Sequence, residues 1–170
     1  VYLDPQDRTD RNLTVTFPVF LDSTAVNAVC DASKNEPVFT LTGGATQTEW
    51  QAYRASLEPL AKERERTYDE YAAAFYRRND EEKGVELARR VDEMGARVRE
   101  FKAAYVREHP ASAVSLAIVQ ELCGRYSSLN KAQMEALFGE LAPQLRESVP
   151  GQYTAAGIRD KRIQEGQPLP

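Results

Sequence analysis

The side chains of this chain that could carry chemistry are few: two cysteines, one histidine, two neighbouring serines and a run of aromatic rings. Cys30 and Cys123 stand 93 positions apart, and neither belongs to a Cys-x-x-Cys pair, so the chain holds no redox dithiol. Two readings stand for them: one structural disulfide in an exported protein, or two small buried hydrophobes. His109 has no second histidine or nearby thiol to complete a metal site. The acidic residues of the central region lack the Glu-x-x-His spacing of carboxylate-bridged metal bundles. Gly43-Gly44 is not followed by the Gly-Lys-Ser/Thr of a phosphate loop. Ser112 and Ser115 have no base beside them in sequence to activate a hydroxyl. No catalytic, cofactor-binding or metal-binding residue is assigned, and the chain is not expected to be an enzyme by itself. What is left is aromatic. Trp50, Tyr53, Tyr68, Tyr71 and Phe75, with Tyr76 beside them, either pack a core or line a groove for a ligand or partner between a sheet and helices.

Those rings need elements to position them. Leu87, Val91, Met94, Val98, Phe101 and Tyr105 recur at alternating steps of four and three, which places them on one stripe of an α-helix. Arg89, Arg90, Asp92, Glu93, Arg97, Arg99, Glu100 and Lys102 lie between them and are expected to face water. Gly95 is the one poor helix former, at about 1 kcal/mol against alanine. Each stripe residue gains roughly 1.5–3 kcal/mol on full burial, so the stripe outweighs the glycine once another element covers it. The covering run is Trp50, Tyr53, Leu57, Leu60, Tyr68, Tyr71 and Phe75, also near a helical period. Arg77 to Gly84 is a short polar connection, so the two helices are expected to fold back antiparallel. Thr46 or Thr48 can cap the first of them. Pro59 is expected to kink or split it.

Before this hairpin the pattern is β. Val1 to Leu3, Asn12 to Asp22, Thr24 to Asp31 and Glu36 to Thr42 read as short strands, with turns at Asp4 to Asp7, Asp22-Ser23 and Asp31 to Asn35. Pro18 marks an edge strand or a bulge. After the hairpin, His109-Pro110 stops the second helix. Ser112 caps a third, apolar on most sides from Val114 to Leu122 and ended by Gly124. Asn130 with Gln133 forms a capping box, and Leu129 with Met134 a hydrophobic staple, opening a helix through Leu137, Phe138, Leu141 and Leu145 with Pro143 near its end. Val149-Pro150-Gly151 reads as a turn before a last helix from Tyr153 to Gln164. The expected class is α+β: a small antiparallel sheet, the remnant of a β-sandwich-like part, over residues 1–45. A helical bundle built on the long antiparallel hairpin follows over 46–165. Residues 166–170 start a linker to a further domain.

Charge narrows the partners. The formal net charge is −4. Between Ala61 and Glu108 there are twelve Lys or Arg and twelve Asp or Glu, which gives solvated faces with intrahelical ion pairs and no positive stripe for nucleic acid. No apolar run reaches the length of a membrane span. The strand-like opening implies a segment removed upstream, so the want of a signal peptide says nothing about compartment. The hairpin, or the edge strand around Pro18, offers a surface to a second copy.

Two stretches carry a resemblance. His109-Pro110-Ala111-Ser112 leading into Val114-Ser115-Leu116 is similar to the His-Pro-x-Ser helix start in the N-terminal region of certain bacterial cell-envelope thioredoxin-like proteins. Leu141 to Ser148, then Gly151, Ile158 and Gly166-Gln167-Pro168-Leu169-Pro170, resembles the approach to their redox domain, where a Gly-x-x-Ala-Pro segment is usual and Leu169 stands in place of Ala. Phe20 to Thr24 and Leu41 to Gly44 are similar to the family's β part. In that family a β-plus-helical domain of unknown function precedes a thioredoxin-like domain of the alkyl hydroperoxide reductase and thiol-specific antioxidant superfamily. The resemblance implies a cell-envelope or periplasmic location, an N-terminal lipid anchor as the means of membrane contact, and catalytic cysteines beyond Pro170. It implies a non-catalytic accessory domain of a thiol:disulfide oxidoreductase that dimerises the parent or presents substrates. The alternative is a stand-alone ligand- or peptide-binding module using the aromatic groove.

Overall fold

The computed structural model describes residues 19–20, 25–31, 38–124 and 127–160. The strands expected at Val1 to Leu3 and within Asn12 to Asp22, the turn at Asp31 to Asn35, the end of the last helix at Ile163 and Gln164, and the tail from Gly166 to Pro170 lie wholly or mostly outside the described residues. The fold is α+β, a two-stranded antiparallel sheet with a helical bundle. The chain divides into two compact units, Val1–Ala52 and Tyr53–Pro170.

In the first unit, β1 (Asn27–Asp31) pairs antiparallel with β2 (Val38–Thr42), Asn27 opposite Thr42 and Asp31 opposite Val38. Gly43 and Gly44 then turn the chain at φ 93° and 73°, which only glycine adopts without strain. A Cβ on Gly43 would also sit 2.2 Å from the Ala25 carbonyl oxygen, so that turn has no room for a side chain. The first helix, α1 (Ala45–Ala72), starts directly after it. The Thr48 hydroxyl donates back to the Gly44 carbonyl at 3.0 Å. The buried Gln47 accepts from the Phe20 amide at 3.1 Å, and the Phe20 ring lies 5.6 Å from that of Trp50. The Gln51 side-chain amide donates to the Leu41 carbonyl.

The second unit holds most of α1 and everything after it. Pro59 does not split α1. The proline removes one backbone bond, at about 3 kcal/mol in a helix interior. Here Pro59 and Ala55 are both exposed, so solvent can reach the carbonyl left without its donor. The helix closes in a π-helical turn, Ala73–Arg77, in which the Arg78 amide reaches the Ala73 carbonyl at 3.1 Å and the Asp80 amide reaches Ala74 at 3.0 Å. Asn79 takes the left-handed conformation, φ 53°, that lets the chain leave the helix. Asp80 at once caps α2 (Glu81–Glu108), its carboxylate accepting from the Lys83 amide at 3.1 Å. The connection is therefore Arg78 to Asp80, shorter than expected, because the αL asparagine and the aspartate cap stop one helix and start the next within three residues.

Contacts between α1 and α2 step down one helix as they step up the other. Tyr53 meets Phe101 and Tyr105, the Arg97 guanidinium lies 4.0 Å from the Glu63 carboxylate, and Phe75 lies against Gly84. That is the antiparallel hairpin. Leu87, Met94 and Val106 are buried along α2. Exposed faces carry the expected pairs, Glu58 with Lys62, Lys83 with Glu86 and Arg89 with Glu93.

Lys102 is the exception. Its side chain is buried, 8% exposed, and its ammonium meets the Glu121 carboxylate at 2.5 Å. It was expected to face water, yet it stands four residues from both Val98 and Val106, on the stripe itself. Glu121 belongs to α3 (Ala113–Leu122), capped by the Ser112 hydroxyl at the Val114 amide and buried at Val114, Leu116, Ile118 and Val119. The Ser115 hydroxyl donates to the His109 carbonyl at 2.7 Å, which holds the α2–α3 corner.

The capping box at Asn130 and Gln133 is present and opens α4 (Lys131–Gly139). This helix was expected to continue through Leu145. Instead Pro143 starts a separate short helix, α5 (Pro143–Glu147), because proline fits the first helical position far better than an interior one. Val149-Pro150-Gly151 is not a free turn but the first turn of α6 (Val149–Arg159), capped by Ser148 at the Gly151 amide. α3 packs on α2 and α4, and α6 on α4 and α5.

Breaking the buried lysine's pair should cost more than removing its charge. We expect Glu121→Gln to lower unfolding free energy by about 1–3 kcal/mol in urea titration, since it strands a buried ammonium. Lys102→Met in the Glu121→Gln background should restore most of the loss. Equal stability of the single variant and the parent chain would contradict the role given to this pair.

Candidate functional site

The aromatic residues singled out in the sequence do not share one environment. Trp50 lies in the first unit beside Phe20. Tyr53 is buried, 2% exposed, with its ring 4.7 Å from Tyr105 and 6.2 Å from Phe101. The Tyr105 ring in turn lies 4.4 Å from that of His109, tilted by 34°. Tyr53 thus closes the open end of the hairpin as core. Burial holds its phenol well above the ordinary tyrosine range, the Glu121 carboxylate pushes the same way, and Arg54 opposes both.

Tyr68, Tyr71 and Phe75 come together at the other end, fifteen or more residues along α1 from Tyr53, which is roughly 22 Å or more of helix. Tyr76 joins them. Neighbouring rings are 5.9 Å apart for Tyr68 and Tyr71, 5.8 Å for Tyr71 and Phe75, and 5.2 Å for Phe75 and Tyr76. The last pair meets edge to face, as the ring quadrupoles favour. The set straddles the π-helical turn. Phe75 fits there because α2 offers Gly84: a Cβ at that position would stand 2.7 Å from the Phe75 ring. Despite this packing the cluster stays open to solvent, with Tyr68 51%, Phe75 40% and Tyr76 70% exposed. A hydrogen bond with Tyr76 is the main reason the Tyr71 phenol sits above its ordinary value.

Among the described residues, no group of three His, Cys, Asp or Glu side chains could hold a metal ion. No helix among them is long and apolar enough to cross a membrane. Cys123 sits half-buried at the C-terminal end of α3. The candidate site is the hairpin tip, where a π-helical turn carries exposed aromatic rings. Comparison with protein families, curated proteins and solved structures finds no match. Sequence reading named the tip rings but missed the Lys102–Glu121 pair; the four-residue spacing from Val98 and Val106 was the available signal.

Tyr53 gives a pH test. A phenol held protonated in the folded state stabilises the fold below the unfolded-state pKa, about 10. That stability is lost as pH rises from there through the higher folded-state value. We expect urea stability to fall steadily at alkaline pH and Tyr53→Phe to remove part of the slope. An unchanged slope in Tyr53→Phe would contradict the burial assigned to this phenol.

Proposed function

We propose that this chain is a non-catalytic interaction module whose contact surface is the aromatic tip of the helical hairpin. The observation that carries the reading is the exposure of Tyr68 near the end of α1 and of Phe75 and Tyr76 on the π-helical turn that follows it. Tyrosine and phenylalanine on an ordered element give large contact area at low entropic loss, as protein interfaces favour. π-helical turns recur at functional positions. In this reading the rings serve a macromolecular partner, because several large rings stand exposed side by side on ordered helical backbone.

The setting we propose follows the sequence resemblance alone: an accessory domain of a thioredoxin-like thiol:disulfide oxidoreductase of the cell envelope, dimerising the parent or presenting substrates to it. The 170-residue chain should then leave insulin disulfides unreduced above the dithiothreitol background. The coding sequence beyond Pro170 should specify a Cys-x-x-Cys within about one domain length. Reduction by the chain itself would overturn the non-catalytic reading. A continuation without the dithiol would overturn the thioredoxin-like setting and leave the interaction module to stand on its tip.

A further inference from the structure

We propose that the partner of the hairpin tip is a second copy of this chain, docked tip to tip about a two-fold axis; this rests on the interaction-module reading. Charges of both signs surround the exposed rings. The end of α1 carries Arg77 and Arg78, and the start of α2 carries Glu81 and Glu82, all exposed. Among the described residues no ion pair engages any of the four. The nearby Lys83, by contrast, is taken by Glu86. The tip therefore presents two unpaired cations on one helix and two unpaired anions on the next, beside Phe75 and Tyr76.

A two-fold contact is self-complementary: whatever residue i meets on the partner, the partner's residue i meets in return. Turning one such tip onto another sets the basic end of α1 against the acidic start of α2 in both directions at once. The exposed rings then fall between the two charged pairs. The helix macrodipoles favour the same placement of charge, cations at a C-terminus and anions at an N-terminus. They do not require aromatic rings left open beside it. Because only the tips meet, the contact is small and belongs to the weak, concentration-dependent class.

Sedimentation velocity on the 170-residue chain, from about 10 µM to about 1 mM, tests this. The chain should pass from monomer to dimer across that range, and raised salt should weaken the dimer by screening its exposed charges. Arg77→Glu with Arg78→Glu should weaken self-association roughly tenfold or more, and Glu81→Arg with Glu82→Arg should do the same, since each places like charges together. An equal mixture of the two variants should recover a dimer. Circular dichroism melts show that each variant is folded, and recovery in the mixture is a result no folding defect could produce. A chain monomeric throughout, or charge-swapped variants as dimeric as the parent, overturns the proposal. A monomeric chain whose Tyr76, replaced by a photoreactive phenylalanine, cross-links to a different protein overturns the second copy but leaves the module reading. A monomeric chain with no cross-link overturns both.

Discussion

The second unit depends on the seam between α1 and α2. A long amphipathic helix gains little from propensity and most of its stability from covering an apolar stripe. Neither helix of this hairpin can do that alone. At the open end the seam closes with Tyr53 against Phe101 and Tyr105. At the tip it closes with Phe75 over Gly84. α3 is set in turn on the face of α2 that carries Lys102, and α4 and α6 follow through α3. An error in the register of the seam would move Tyr53 away from Phe101 and Tyr105 and Phe75 away from its glycine together.

The tip differs from the rest of the seam in one respect. Along the shaft, rings and aliphatic side chains turn inward. Near the tip Phe75 lies against Gly84, while Tyr68, Phe75 and Tyr76 stay open to water. The π-turn adds one residue just where α1 ends, and αL Asn79 with the Asp80 cap keeps the connection to three residues. The result is an ordered helical end bearing exposed aromatic area. That combination is why we read it as a contact surface and not as a packing fault. A loop carrying the same rings would lose more entropy on binding.

Much of this was legible in the chain itself. The four-three spacing from Leu87 to Tyr105 announced α2, and Asn130 with Gln133 announced the start of α4. Both are local signals, and local signals survive folding. Lys102 was misread because residue type was allowed to outrank position, and a lysine on the stripe tolerates burial only when a distant residue, Glu121, neutralises it. The break at Pro143 was missed because the apolar period of α4 runs on into α5. The division of the aromatic residues between core and tip was also out of reach. It depends on where α2 begins, and that is set by the three-residue connection rather than by the periodicity of either helix.

The central claim is that α1 and α2 form one rigid antiparallel hairpin with the aromatic cluster at its blunt end. Pulsed electron–electron distance measurements on paired spin labels test it most directly. Glu58, Glu82 and Glu100 are all exposed positions of these helices. The contacts at Tyr53 and Glu63 place Glu58 opposite the neighbourhood of Glu100, while Glu82 lies eighteen residues further along α2, roughly 27 Å of helix. The account predicts a short, narrow distance for labels at 58 and 100, and a long, equally narrow one for labels at 58 and 82. Broad distributions for both pairs, or a shorter distance for 58 and 82, would contradict the hairpin and the contact surface built on its tip.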